Sequence, residues 1–250
     1  MTPHLAHILR HPIKAIGVEE ISSALLTEGR ALALDRVWAV AHQAAKFTGQ
    51  PVGWQAKMNF LRGVAGPELM AITAQVAGTA VTLTHPRAGR ITVDLARPDD
   101  QARLIDWLRP LWPAGRPAAS HVVQVPDQAL TDVPEPWVSV LSLTSLRALE
   151  ARVGRALSIH RFRGNLWVEG WAVDAERALT GRRLRIGTAV LEVTEPITRC
   201  RATCVNPATG QEDCELLESL EAAFGDKDFG LYARVVTGGT IATGAAVEIM

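Results

Sequence analysis

The 250-residue chain is 48% apolar and 21% charged, and its formal charges cancel, as expected for one large folded domain or two small ones. A neutral total argues against a nucleic-acid protein, which carries a basic domain. No run approaches the roughly eighteen apolar residues of a membrane span. The opening MTPHLAHILRHPIKAIG, broken by histidines and Pro12, does not read as a signal peptide. ALDRVWAVAHQ (33–43) is a strand candidate. LMAITAQVAGTAVTLTH (69–85) and GRITVDL (89–95) alternate apolar and polar residues around Ala77-Gly78 and 86–89, the pattern of a β-meander. Asp99-Asp100 are expected to cap a helix through QARLIDWLRPLW, with Leu104, Ile105, Leu108 and Leu111 on one face and Pro110 and Pro113 ending it.

Further prolines at 117, 126, 134 and 136 predict a linker over residues 113–137, between a first domain (1–112) and a second (138–250). In the second, VSVLS (138–142) reads as a strand. TSLRALEARVG reads as a helix started by Thr144 or Ser145 and stopped at Gly154. Strand-like NLWVEG (165–170), a hairpin over 184–196, a helix ELLESLEAAFG ending at Gly225, and closing strands with glycine turns follow. The expected fold class is mainly β with a few helices (α+β), in two β-dominated units.

All three cysteines fall within EPITRCRATCVNPATGQEDC (195–214). An odd count argues against a disulfide framework and points to a reducing, cytoplasmic setting. A structural zinc site wants four ligands, and no histidine follows His160; an iron–sulfur cluster is weaker still. Cys200 is different, because Arg199 and Arg201 flank it and neighbouring cations favour a thiolate. Pro196 and Pro207 disfavour a long helix here, so Cys200 is expected at a strand end or loop. The alternative is a buried structural cysteine. The neighbourhood is also basic: residues 147–201 hold eleven arginines against six acids, whereas 202–250 hold eight acids against two basic residues. Guanidinium forks suit a small phosphorylated anion, although a general arginine bias explains the same excess, since 22 of the 26 basic residues are Arg.

TRCRATCVNPATG resembles the [ST]-R-C-x-x-T-x-V-[DN]-P-x-T-G segment of MOSC-domain proteins. RFRGNLWVEG (161–170) resembles that family's R-F-R-x-N-[IL] stretch. HPIKAIGVEE (11–20) and EGRALALDRVWAV (28–40) resemble the start of the MOSC N-terminal β-barrel domain. Segments near 140–146 and 228–236 also fall in family order, so the resemblance covers nearly the whole chain and is nearest to the two-domain kind typified by the amidoxime-reducing component and its bacterial relatives. It implies an N-terminal MOSC-type β-barrel domain followed by a MOSC β-barrel-like domain.

The resemblance further implies a molybdenum cofactor (Mo-molybdopterin), with Cys200 as catalytic residue and thiolate ligand to the metal. By position, Lys14, Arg36, Arg163, Asn165, Thr198, Arg199 and Tyr232 would hold the cofactor, with Asp132, Ser142 and Thr144 as weaker candidates. Each has a plainer alternative: Lys14 as an edge charge, Arg36 as a surface pair with Asp35, and Arg163 with Arg161 as a solvent stripe if RFR is extended. Asn165 could be a turn residue and Tyr232 a half-buried core residue. Cys204 is expected to pack, Cys214 to be incidental, and no histidine is assigned a role. Ala15 stands where many relatives have serine, and Asn206 where aspartate is more frequent.

The implied activity is a molybdenum-dependent oxidoreductase that removes oxygen from a small N-hydroxylated or N-oxide substrate. With no ferredoxin-like domain before Met250, electrons would come from a separate ferredoxin-, flavin- or cytochrome-type protein. The alternatives are a sulfur carrier or transferase using a Cys200 persulfide, and a non-catalytic cofactor-binding module.

Overall fold

The computed structural model describes residues 2–250. Its largest element is an eight-stranded sheet. In spatial order the strands are Val247–Ile249, Arg183–Ile186, Ala189–Thr198, Asp228–Thr237, Val138–Ser142, Leu166–Glu169, His4–Arg10 and Glu19–Ile21. Every pairing is antiparallel except Val138–Ser142 with Leu166–Glu169. A parallel pair needs a crossover, and the helix Leu143–Val153 lies on that connection.

Both faces of this sheet are covered, which explains why all five residues of VSVLS are buried. Val138, Val140, Leu166 and Val168 face one core with Leu5, Ile8 and Leu191. Leu141 and Trp167 point the other way, into a second core with Phe162 and Phe229, as the period of two along a strand requires. The helices Leu143–Val153 and Leu216–Phe224 cover that second face through Leu146, Leu149, Leu216 and Leu220. Both end as expected, on Gly154 (φ 77°) and Gly225 (φ 89°) in the left-handed conformation. The first helix is capped by Ser142, whose Oγ accepts from Ser145 N, and not by Thr144 or Ser145.

The first unit is smaller. Thr73–Ala77, Ala80–His85 and Gly89–Asp94 form the expected meander. It packs with Leu104, Leu108 and Leu111 around Leu61, Leu69 and Ile72. The helix Pro98–Leu108 has Arg97 at its N-cap, so Asp99 and Asp100 lie in the first turn, where carboxylates favour the helix dipole. The strand expected over 33–43 is confined to Trp38–His42. Leu34 (φ 61°) and Arg36 (φ 53°) adopt left-handed backbone that no strand accommodates.

The proline-rich stretch behaves differently from a linker. Ala119–Gln124 is a strand paired with Trp38–His42, so the segment after Pro117 belongs to the first unit's structure. Conversely, the first strand of the chain, His4–Arg10, lies in the large sheet beside Leu166–Glu169. The first unit thus gives its opening strand to the second unit's sheet, and the two meet along an extended seam.

Candidate functional site

A cavity of about 410 Å³ opens on that seam. Lys14, Arg36, Arg163, Asn165, Thr198, Arg199, Cys200 and Tyr232 all line it. Cys200 is exposed and free, at the end of Ala189–Thr198 and just before the short 3-10 turn Arg201–Cys204. It is thus not the buried structural cysteine of the plainer reading.

The flanking arginines separate. The Arg199 guanidinium turns into the cavity, where Nε donates to Phe229 O at 2.7 Å and Nη1 to Phe162 O at 2.9 Å, 5.6 Å above the Phe162 ring. Burial pulls Arg199 down to about 10, with Tyr232 and Cys200 opposing that shift. Arg201 points outward and pairs with Glu212 at 2.5 Å and Glu215 at 3.2 Å. Only one of the two sequence neighbours brings its charge to the cavity.

Lys14 arrives on the chain leaving His4–Arg10, and Arg36 on the segment before Trp38–His42, held beside it by its N–H donating to His11 O at 2.6 Å. Lys14 is 3% exposed, so it is no edge charge. Its Nζ donates to Leu130 O at 2.9 Å and to Asp132 at 2.5 Å. Burial lowers Lys14 to about 8 against the pull of Asp132. Burial would raise Asp132, but Lys14, then Lys57 and Arg36, hold its carboxyl down at about 2. Arg36 does pair with Asp35, as the plainer reading had it, but inside the protein: Asp35 is buried and also accepts from His11 N at 2.7 Å and faces His11 Nδ1 at 3.1 Å. Burial, then Arg163 and Arg36, push His11 down to about 3, so it is neutral. Arg36 Nη2 reaches Arg163 O at 2.9 Å.

The RFR stretch is not extended. Ile159–Phe162 is a 3-10 turn and Arg163 is left-handed (φ 48°), which sends the two arginines apart. Arg163 enters the cavity, and burial with Arg36 nearby lowers it to about 9. Arg161 reaches the cavity wall only while held from behind. It bonds the carbonyl of Cys204 at 3.2 Å and the carboxylate of Asp213 at 2.8 Å.

Asn165 touches the cavity but is consumed by the fold. Its Oδ1 accepts from Ser139 N (3.1 Å) and Ser139 Oγ (2.9 Å), and its Nδ2 donates to Leu9 O (3.1 Å). Thr198 Oγ1 donates to Asp228 at 2.6 Å. Tyr232 packs against Trp137 with ring centroids 5.3 Å apart and planes tilted by 41°, and burial raises its phenol. Among the weaker candidates, Asp132 lines the cavity, whereas Ser142 is the buried helix cap and Thr144 faces Glu169. Cys204 is fully buried in the second core, and burial raises Cys214 to about 11. Asn206 donates to Asp213 at 3.0 Å, so the carboxylate near this turn stands at 213.

Sequence reasoning missed Trp137, Ser139, Glu195, Lys57 and Arg62, all on the cavity wall. Ser139 lies in the VSVLS strand, Trp137 borders it and Glu195 precedes the motif, so proximity to those segments was a usable signal. Lys57 and Arg62 come from an irregular stretch with no pattern that marks them.

Two family models match the chain. The MOSC N-terminal beta barrel domain covers residues 2–110 and the MOSC domain covers 127–248. The chain belongs to the MOSC-domain proteins. It is 31% identical over 118 residues to the molybdenum cofactor sulfurase of Anopheles gambiae, a match to 42% of this chain and 15% of that protein. It is 31% identical over 154 residues to the mitochondrial amidoxime-reducing component 1 of Mus musculus, covering 55% and 44%. The match thus spans less than half the length of either relative. The crystal structure of the YUAD protein from Bacillus subtilis aligns over 100% of this chain and 96% of its own, with a TM-score of 0.50 at 12% identity, which shows a shared fold. Among the described residues, no helix is long and apolar enough to cross a membrane.

Proposed function

We propose that this MOSC protein binds a molybdenum cofactor in the seam cavity, with Cys200 as its thiolate ligand, and reduces N-hydroxylated or N-oxide compounds. One observation carries the reading. The exposed Cys200 thiol stands on the wall of a cavity whose Lys14, Arg36, Arg163 and Arg199 are each anchored by protein acceptors. Thiolates suit strongly covalent metal centres, and fixed guanidinium and ammonium donors suit a phosphate. The volume falls in the usual range of cofactor sites, about 300–1,000 Å³.

Bound there, the cofactor would supply the two-electron chemistry. The chain's residues do the rest. Lys14 keeps donor capacity beyond Leu130 O and Asp132, since an ammonium has three donors. The Phe162 and Phe229 carbonyls fix Arg199, so its charge stands beside the Cys200 thiol. Tyr232 stays protonated because burial raises its phenol, and it presents a hydroxyl on the same wall. The electrons would come from a separate protein. An exposed thiol of this kind stays reduced in the cytoplasm, where we take the protein to act.

Similarity to molybdenum cofactor sulfurases favours a second reading, in which Cys200 carries a persulfide. One experiment separates the two. Protein made in a host able to synthesise the cofactor is analysed for molybdenum, pterin fluorescence and cyanide-labile sulfur, beside Cys200→Ser. The oxidoreductase reading expects molybdenum and pterin in the wild type, with molybdenum lost and the circular dichroism unchanged in the variant. A Cys200→Ser protein that retains molybdenum and N-reduction refutes the ligand assignment.

A further inference from the structure

Arg62 differs from the other cavity arginines. Arg36 is held by Asp35 and Arg163 O, Arg163 by Gly17 O, Arg199 by Phe162 and Phe229, and Arg161 by Asp213 and the 203–204 carbonyls. Arg62 lines the same cavity, half-buried, and its side chain makes no hydrogen bond or ion pair among the described residues. A guanidinium carries five donors, and those of Arg62 meet no protein acceptor, so they remain available to a ligand in the cavity.

Its backbone is nevertheless fixed. Ala65 N and Gly66 N both donate to Arg62 O, at 3.0 and 2.9 Å, closing a tight turn. Gly63 lets that turn press on the wall. A Cβ there would stand 2.5 Å from Met70 Sδ and 3.7 Å from Ala202 Cβ. Ala202 lies two residues past Cys200, so the Arg62 turn borders the cysteine's own turn. Val64, Met70 and Ala202 give this part of the wall an apolar surface, and Lys57 adds a second cation 3.8 Å from Asp132.

We infer that Arg62 is a specificity-determining residue that selects small substrates carrying an anionic group, a carboxylate or its sulfonate or phosphonate equivalent, on an apolar body. The carboxylate meets the free guanidinium fork, and the apolar body rests on Val64, Met70 and Ala202 with the reducible group toward Cys200. This inference rests on the proposed N-reduction for its orientation, but anion recognition at Arg62 stands apart from it. A planar fork binds a carboxylate bidentately, which gives direction as well as attraction. Glu195 is an exposed carboxylate on the cavity wall and makes no ion pair among the described residues.

The test uses cofactor-loaded wild type, Arg62→Gln and Arg62→Lys with two probes, benzamidoxime and 4-carboxybenzamidoxime. Binding to the oxidised protein is measured by calorimetry and turnover with an artificial electron donor. Wild type is expected to bind the carboxylated probe more tightly. Arg62→Gln should shrink that preference by about tenfold or more, the size of a lost charge-assisted bond, and Arg62→Lys should restore part of it. Molybdenum and pterin content should match wild type. Three results overturn the inference: no preference in wild type, an equal weakening of both probes in Arg62→Gln, or loss of molybdenum or pterin from that variant. The last would assign the guanidinium to the cofactor's phosphate. Retention of the binding preference with neither probe reduced sinks the proposed reaction and leaves the recognition standing.

Discussion

Asn165 offers the sharpest test of how this cavity is built. The family resemblance implies a cofactor-binding role for it, yet its side-chain amide joins three pieces of the large sheet. Oδ1 takes both the N–H and the hydroxyl of Ser139, and Nδ2 donates to Leu9 O, all at 2.9–3.1 Å in a site 2% exposed. Alanine would strand the Ser139 N–H and the Leu9 carbonyl. Ser139 Oγ keeps the bond it accepts from Asn165 N at 2.8 Å. Two buried groups left without partners, at about 1–3 kcal/mol each, with a small cavity added, give a loss of about 3–5 kcal/mol. For a chain of this size that is a fall in Tm of roughly 6–20 °C.

The measurement is thermal or urea unfolding of the apoprotein, so that cofactor binding does not add its own stabilisation. Asn165→Asp sharpens it. The carboxylate still accepts from Ser139 but sets its second oxygen against Leu9 O, and burial raises its pKa above the unfolded value. The penalty is therefore full at neutral pH and shrinks as pH falls through the raised pKa, because a protonated carboxyl donates to Leu9 O. If Asn165→Ala melts within a degree or two of wild type while losing molybdenum or pterin, the amide is a ligand and the structural reasoning is wrong.

Other expectations follow from the same geometry. Because burial lowers Lys14 to about 8 from 10.5, its ammonium is lost as pH rises through about 8; pterin loading of the apoprotein should weaken over that window, and Lys14→Met should load poorly at every pH. Asp213→Ala should cost about 3 kcal/mol in urea unfolding, since it leaves the 2%-exposed Arg161 charge without its carboxylate, and a stability unchanged from wild type would remove Asp213 from that role. Gly230→Ala should destabilise by about 2–4 kcal/mol, because φ is 85° and a Cβ would stand 2.6 Å from Leu141 Cγ and 3.0 Å from Val140 O; full stability at that site would contradict the packing described.

Local pattern carried much of the architecture. The meander over 73–94 and the glycine stops at 154 and 225 follow from alternation and from the left-handed freedom of glycine. What failed was non-local. Nothing in ASHVVQ, set among prolines, announces a partner eighty residues earlier, and the His4–Arg10 strand finds its neighbour at Leu166–Glu169. An extended RFR would put Arg161 and Arg163 on one face, and the left-handed backbone at Arg163 separates them. Arg199 and Arg201 looked symmetrical about Cys200 until Glu212 and Glu215 claimed the second. Burial and partner choice decide such cases, and both depend on distant parts of the chain.

The strand His4–Arg10, lodged in the other unit's sheet, explains why the cavity needs both units. His4–Arg10 runs in the large sheet, and the chain then crosses to the first unit, where Pro12 O accepts from Trp38 N at 3.2 Å and Lys14 N donates to Trp38 O at 2.7 Å. Over the same few residues His11 O accepts from Arg36 N at 2.6 Å. Lys14 and Arg36 are thus positioned by backbone bonds at the point of crossing, while Cys200 and Arg199 come from the far unit's strand end. Neither core alone fixes the distance between the Lys14 and Arg36 cations and the thiol. Without His4–Arg10 the Leu166–Glu169 strand would become an exposed edge, a liability that folded proteins avoid. The pairing that protects that edge also sets the site.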